Sequence, residues 1–410
     1  MASKKKLFSG KTLAILTGGG DTPALNSSIE SVRNRASMLG FQVYGIRKGW
    51  KGLLGEGDVI NLTHHPYDGW YGGTALLSSR TNPFPTKKNP ENRVPQILKN
   101  LKKYKIDVLV SIGGDDTNGA AKKLYEMEGI PVIGFPKTID NDLRTRTMHT
   151  YNGKEIEAVL CPGFPSAAKG IVDFANRIRT TCESHQRICV LEVMGRDAGW
   201  LTGAAFFGGA EISLIPEVEI SQEKKEAFFE KVKEAYLNST KKAIVVAVAE
   251  GVRWYDDTKG KTDVVFASSE LDEYGHPRFG GISGIISSEI NKRLGIESRA
   301  QITGYYPRSG ECQPYDRRLT MTLADKVADL LLREEYGKMP VLREIVPEID
   351  LEEYHTSTID MGSIGNLLLP DEYYHPNNFT FTEGYHHFLS HILEKPEINE
   401  FKYDFPVVRP

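Results

Sequence analysis

Residues 107–142 read DVLVSIGGDDTNGAAKKLYEMEGIPVIGFPKTIDND. An apolar run from Val108 to Ile112 breaks abruptly into Gly113, Gly114, Asp115 and Asp116. A helical pattern follows from about Asn118 to Glu128, with Ala121, Leu124 and Met127 assigned to its core face. A second apolar run, Pro131 to Phe135, ends in Lys137, Thr138, Asp140, Asn141 and Asp142. Strand, glycine turn, helix, strand and polar turn make a parallel β/α unit, which presents its functional groups at the carboxyl ends of its strands. Two acidic loops at one sheet edge, with a lysine between them, point to metal–phosphate chemistry. If the segment at 140–142 is extended, both aspartates project to one side; the competing reading is a solvated turn closed by Asx hydrogen bonds.

Outward from this stretch the pattern repeats. TLAILT (12–17) is a strand that runs into Gly18, Gly19, Gly20 and Asp21, ahead of a helix with Ile29, Val32 and Ala36 on one side. Glycines at such a turn let backbone N–H groups approach an anion, although the spacing is neither of the common nucleotide patterns and also suits a plain tight turn. Arg80 follows two serines, a combination that suits phosphate oxygens. Arg187 opens an apolar strand that ends in Met194, Gly195 and Arg196, and the run from Ala243 to Ala249 stops at Glu250. Buried structural glutamates are rare, which favours a ligand-facing Glu250. Arg299, Arg308, Arg317 and Arg318 alternate with Tyr305, Tyr306 and Tyr315 and are read as converging on a sugar phosphate. Segments 49–71 and 151–165 read as loops, and the chain turns Pro-, Tyr- and His-rich from about Met339. His386, His387 and His391 fall one to five apart, with a metal cluster as the minor reading; lacking a nearby Cys or H-E-x-x-H, they are read as surface or subunit-contact residues.

The 410 residues, 40% of them hydrophobic, can bury a large core in two lobes. A net charge of −3 without a long basic run indicates no nucleic-acid partner. The start has lysines but no signal-peptide core, and no apolar run reaches membrane length, so a cytoplasmic protein without membrane association is expected. Cys161, Cys182, Cys189 and Cys312 show no C-x-x-C spacing and are expected to be buried thiols.

Taken together, GGGDTPALN (18–26), GGDD (113–116), PKTIDND (136–142), SHQR (184–187), MGRDAG (194–199), EG (250–251), GYYPR (304–308) and PYDR (314–317) resemble the phosphofructokinase family, its pyrophosphate-dependent branch in particular. The resemblance implies an α/β protein with two Rossmann-like lobes, mostly parallel sheets and an active site in the cleft between them. Residues 1–150 plus about 306–345 would form a larger lobe for the phosphoryl donor, 151–305 a smaller lobe for the sugar phosphate, and 346–410 an extension packed on the lobes or on another subunit. The implied reaction is Mg²⁺-dependent, reversible transfer from pyrophosphate to the 1-hydroxyl of fructose 6-phosphate. Asp140 would be the general base, Thr138 and Asp142 its supports, Lys137 the catalytic cation and Asp115 the metal ligand. Gly19, Gly20, Arg80, Asp116 and Lys137 would meet the donor. Met194, Gly195, Arg196, Glu250, Arg299, Tyr305 and Arg308 would hold the sugar phosphate, with Arg187 reaching in from the partner of a homodimer.

In ATP-using relatives the positions of Asp116 and Lys137 are typically glycine. A carboxylate at 116 would occupy the space a nucleotide's α-phosphate crosses, and Lys137 would bind terminal phosphates and partly pair with Asp116; both favour pyrophosphate. Ala24 replaces a frequent glycine, Tyr305 a frequent histidine, and GYYPRSGE departs from the usual QRGG, which leaves sedoheptulose 7-phosphate open as a further substrate. An ATP-dependent phosphofructokinase and a non-catalytic sugar-phosphate sensor are the competing readings. The intact Asp115, Asp140 and Asp142 set argues against a sensor.

Overall fold

Alternation within the apolar runs builds the layers. A computed structural model describes residues 7–64, 68–87, 89–268, 278–363 and 366–397. In chain order the first elements are β1 (Thr12–Thr17), α1 (Leu25–Leu39), β2 (Gln42–Ile46), β3 (Val59–Asn61), α2 (Val94–Lys103), β4 (Val108–Gly113), α3 (Asp115–Glu128) and β5 (Val132–Pro136). A hairpin of β6 (Thr147–Tyr151) and β7 (Lys154–Ala158) leads to α4 (Phe164–Ser184), β8 (Ile188–Val193), α5 (Trp200–Phe207) and β9 (Ile212–Leu214). Then come α6 (Gln222–Asn238), β10 (Ile244–Ala249), α7 (Ile282–Leu294), β11 (Ser298–Ile302), α8 (Pro314–Arg333), β12 (Lys338–Leu342), β13 (Thr356–Asp360) and α9 (Glu383–Ser390).

The larger sheet has seven strands in the order β13-β12-β5-β4-β1-β2-β3. Its five inner strands are parallel, and β3 and β13 close the two edges antiparallel. The smaller sheet is β11-β8-β10-β9, all parallel. Strand residues face alternate sides. Leu13 and Ile15 of β1 join Cys189, Leu191 and Val193 of β8 in one apolar cluster that also takes in α4, α5, α8 and α9. Ala14 and Leu16 face the opposite way, onto α2 and α3. Ile188 and Val190 face α6 and α7. Helices therefore cover both outer faces and fill the space between the sheets.

Several expectations are corrected. The glycine turn leads straight into α3 at Asp115, so both acidic residues sit in the helix's first turn, where the positive end of the helix dipole favours them. Met127 lies on the solvent side and is 67% exposed, whereas Ala121 and Leu124 are buried. The presumed loops contain β3 and β7, and the Pro- and Tyr-rich tail supplies β12 and β13. Cys182 and Cys189 form a disulfide between the end of α4 and the start of β8, while Cys161 and Cys312 are buried thiols. His386, His387 and His391 are only partly exposed. His386 lies against Phe206 and Phe207, and His387 and His391 turn toward His149 of β6. Burial, then the neighbouring His387 and His391, push the His149 pKa down to about 4. No helix among the described residues is long and apolar enough to cross a membrane.

Candidate active site

The chain leaves β1 for β2 on one side and returns to β4 on the other. Such a reversal of strand order opens a crevice at the carboxyl ends of the two strands. Both glycine turns lie there, tied by the Gly18 N–H donating to the Ile112 carbonyl at 3.1 Å. Thr117 of α3 packs under both turns: a Cβ at Gly18 or Gly113 would come within 2.5 or 2.4 Å of its side chain. Gly19 has φ +79°, a conformation that glycine adopts without strain. A cavity of about 220 Å³ opens over these turns. The wall nearest the glycine turns carries Gly19, Gly20, Arg80, Asp115, Asp116 and Lys137. Thr138, Asp140 and Asp142 form the floor, and Arg196, Glu250 and Arg308 reach in from the other side.

Lys137 follows β5 and is 4% exposed. Its Nζ donates to the Gly20 carbonyl at 2.6 Å and would lie 3.5 Å from a Cβ placed on Gly19. The ammonium thus fills the hollow behind the first glycine turn. Burial, then the Arg308 charge, push its pKa down to about 8, against the opposing pull of Asp140, Asp21 and Asp142.

The acidic loop is not extended. Asn141 has φ 54°, in the left-handed region, and is wholly buried. Its Nδ2 donates to the Val159 carbonyl at 2.6 Å and its Oδ1 accepts from the Cys161 N–H at 3.1 Å. Both flanking aspartates still line the cavity, through a turn anchored below rather than through strand alternation. Thr138 Oγ1 accepts from the Asp140 N–H at 3.0 Å and donates to Asp142 Oδ1 at 3.1 Å, which clamps the loop from above. Burial, then the charge of Asp140, push Asp142 up to about 7. Burial, then Asp140, do the same to Glu250, also to about 7.

The expected sugar-side residues divide. Arg196 follows β8, Glu250 follows β10, and the two turns are tied by the Gly251 N–H donating to the Gly195 carbonyl at 3.1 Å. A Cβ on Gly251 would strike the Arg196 carbonyl, so this close approach requires glycine. Arg308 crosses to the Gly20–Asp21 turn and donates to the Asp21 carbonyl at 3.3 Å. Met194 is partly buried against the core rather than lining the cavity. Tyr305 is 72% exposed outside it. Arg187 and Arg299 are at the amino ends of β8 and β11, where both contact Glu297, at 3.4 and 3.0 Å. The expected convergence of four arginines does not occur within one chain. Arg317 pairs with Glu30 and lies over Trp70, and Arg318 pairs with Glu352.

Other carboxylates hold the frame. Asp316 is buried and accepts from the Gly163 and Ser166 N–H groups, each at 2.8 Å, at the start of α4. Glu192, inside β8, accepts from the N–H groups of Gly281 and Ser283 at the start of α7. Buried structural carboxylates are thus common in this fold, and it is the cavity that singles out Glu250. Asn141, Asp197 and Asn366 were not anticipated. Asn141 carried a signal as the residue between two candidate carboxylates, and Asp197 as the neighbour of Arg196 within MGRDAG.

Residues 12–331 match the family described as Phosphofructokinase. The chain belongs to the phosphofructokinase family. A curated relative from Dictyoglomus thermophilum, named pyrophosphate–fructose 6-phosphate 1-phosphotransferase, is 39% identical over 85% of this chain and 95% of its own. A Streptomyces coelicolor relative named ATP-dependent 6-phosphofructokinase 3 is 36% identical over 81% of this chain and 90% of its own. Among solved structures, a pyrophosphate-dependent phosphofructokinase from Nitrosospira multiformis superposes with TM-score 0.74 at 21% identity, covering 97% of this chain and 95% of that one.

Proposed function

We propose that the chain transfers a phosphoryl group from pyrophosphate to the 1-hydroxyl of fructose 6-phosphate, reversibly. The observation that carries this is Lys137: a buried ammonium behind the donor-side glycine turn, on the loop that also carries Asp140. Relatives named for either donor are of similar identity, so the donor choice rests on the site. Lys137 behind the glycine turn supplies positive charge for the donor phosphates, while the Asp116 carboxylate beside it opposes a nucleotide's α-phosphate.

The Asp140 carboxylate takes the proton of the 1-hydroxyl as that oxygen attacks the terminal phosphorus. The bond from that phosphorus to the bridging oxygen breaks, and inorganic phosphate leaves. Phosphoryl transfer needs alignment and charge neutralisation more than covalent help. Lys137 and Arg80 supply positive charge on the donor side, and the Gly19–Gly20 turn lets the donor approach the backbone. Thr138 and Asp142 hold the Asp140 loop, while Arg196, Glu250 and Arg308 orient the sugar phosphate. Asp115 offers the hard carboxylate oxygen that Mg²⁺ prefers; the bound ion would supply neutralisation of the phosphoryl oxygens. The cluster that could take a metal among the described residues is instead three histidines, a donor set unsuited to Mg²⁺.

Arg187 and Arg299 stand together at the sheet edge away from their own cavity. In a homodimer they would reach the partner's sugar phosphate, which reassigns Arg299 to the same role as Arg187. The deciding experiment assays purified protein with Mg²⁺ and fructose 6-phosphate, offering pyrophosphate or ATP. Product with pyrophosphate alone is expected; product with ATP alone overturns the donor assignment.

A further inference from the structure

Three imidazoles meet where the C-terminal segment packs on the hairpin. His149 of β6 is 1% exposed. Its Nδ1 hydrogen-bonds the Tyr373 hydroxyl at 2.6 Å and its Nε2 lies 2.9 Å from His387 Nδ1. His387 and His391 are four apart at the end of α9, so one helix face carries both. A ligating nitrogen from each ring lies within 4.8 Å of the others. His391 Nδ1 is directed at the His387 carbonyl at 2.8 Å and donates to it, leaving its Nε2 with a lone pair. The rings approach from different directions: the plane of His391 lies 82° from that of His149 and 70° from that of His387.

We propose that His149, His387 and His391 bind a divalent first-row transition ion of the Zn²⁺ type, with water in the fourth position. Three neutral imidazoles and no carboxylate are a donor set for zinc, nickel or copper rather than magnesium or calcium. An outer partner is already in place: the Tyr373 hydroxyl holds the ring of His149 in orientation through its Nδ1, as ligating histidines require. Without metal, one proton is shared along the contact between His149 Nε2 and His387 Nδ1. When the ion binds, that proton moves to the other nitrogen of its ring, so both imidazoles stay neutral, and the two ligating nitrogens spread to about 3.3 Å, the edge of a tetrahedron with metal–nitrogen bonds of about 2.05 Å. His387 and His391 are partly exposed, which gives the ion and its water a way in.

The site lies outside the catalytic cavity and joins separate parts of the fold. β6 is held to the larger-sheet side by the Met148 N–H donating to the Arg343 carbonyl at 2.8 Å and by Thr147 Oγ1 donating to the Leu342 carbonyl at 2.8 Å. α9 is held to the smaller-sheet side by the Tyr385 hydroxyl donating to the Trp200 carbonyl of α5. A bound ion clips these two attachments together.

The test strips the full-length protein with a chelator and titrates it with Zn²⁺, then with Co²⁺ as an optical probe. One equivalent should bind, Co²⁺ should give the intense visible bands of a tetrahedral site, and Zn²⁺ should raise the melting temperature. His391→Gln, at a partly exposed position that leaves the core intact, should weaken binding at least tenfold, as should His387→Gln. Both should abolish the Zn²⁺-dependent rise in melting temperature. Absence of stoichiometric binding, or equal binding by wild type and His391→Gln, overturns the proposal.

Discussion

The two sheets differ in what a single chain can complete. At the carboxyl edge of the larger sheet, β1, β4 and β5 bring Gly19, Gly20, Asp115, Asp116 and Lys137 to one cavity wall. The smaller sheet supplies Arg196 and Glu250 at its carboxyl edge but leaves Arg187 and Arg299 at the amino edge, sharing Glu297. Strand direction is the cause. A six-residue strand such as β8 is about 20 Å long, so residues at its two ends cannot serve one small ligand. The proposed donor side is complete within one chain, whereas recognition of the sugar phosphate is proposed to need a second copy.

The sharpest break in the self-contained half is Asp140→Asn. Steady-state kinetics should show kcat lower by about 10²–10⁴-fold, with fructose 6-phosphate binding by calorimetry nearly unchanged. A near-normal kcat removes Asp140 from the role of base. Lys137→Met should lower kcat/KM for pyrophosphate by about 100-fold, from loss of a charge-assisted contact of up to about 3 kcal/mol. In the wild type, Lys137 loses its proton as pH rises through about 8. The pH profile of kcat/KM for pyrophosphate should therefore fall on the alkaline side near that value, and Lys137→Met should erase this limb.

The shared half is tested by mixing subunits. Arg299→Ala alone should raise KM for fructose 6-phosphate about 10–100-fold. Hybrids of Arg299→Ala with Asp140→Asn should recover activity, because one site then pairs an intact Asp140 with the other subunit's intact Arg299. Hybrids no better than either parent would return Arg299 to its own chain. The smallest effect is on stability. Asp142 has a folded pKa near 7, above the ordinary carboxylate value, so its contribution is lost as pH rises through about 7. Asp142→Asn should melt a few degrees higher than wild type at pH 8, the difference shrinking as pH falls and closing only near pH 4, where the unfolded carboxyl is protonated as well.

The motif half of the fold could be read from sequence because each apolar run ends abruptly in glycine or charge. The remainder depends on distant partners. β12 reads as a Pro-rich tail until β5 offers it an edge, and β7 reads as loop until β6 pairs with it. Met127 and Leu124 share an apolar character, but only the helix's orientation on the sheet buries one and exposes the other. In the site, Lys137, Asp140 and Asp142 were legible because a single loop carries them. The edge occupied by Arg299 was not, because parallel register sets it opposite Cys189. Arg317 and Arg318 carried the same charge signal as Arg308 but face Glu30 and Glu352. His149 and His387 are 238 residues apart, and no spacing rule joins them.

The apolar cluster that runs from Leu13 through α4 and α8 to Val193 has a consequence for motion. Opening the cleft like a jaw would pull these helices from one sheet or the other and expose close-packed side chains to water, at a cost of about 25 cal/mol for each Å². The cheaper movements are those of side chains and surface turns. Substrate exchange should therefore proceed with little change in overall dimensions, and heat should melt both sheets in a single cooperative transition.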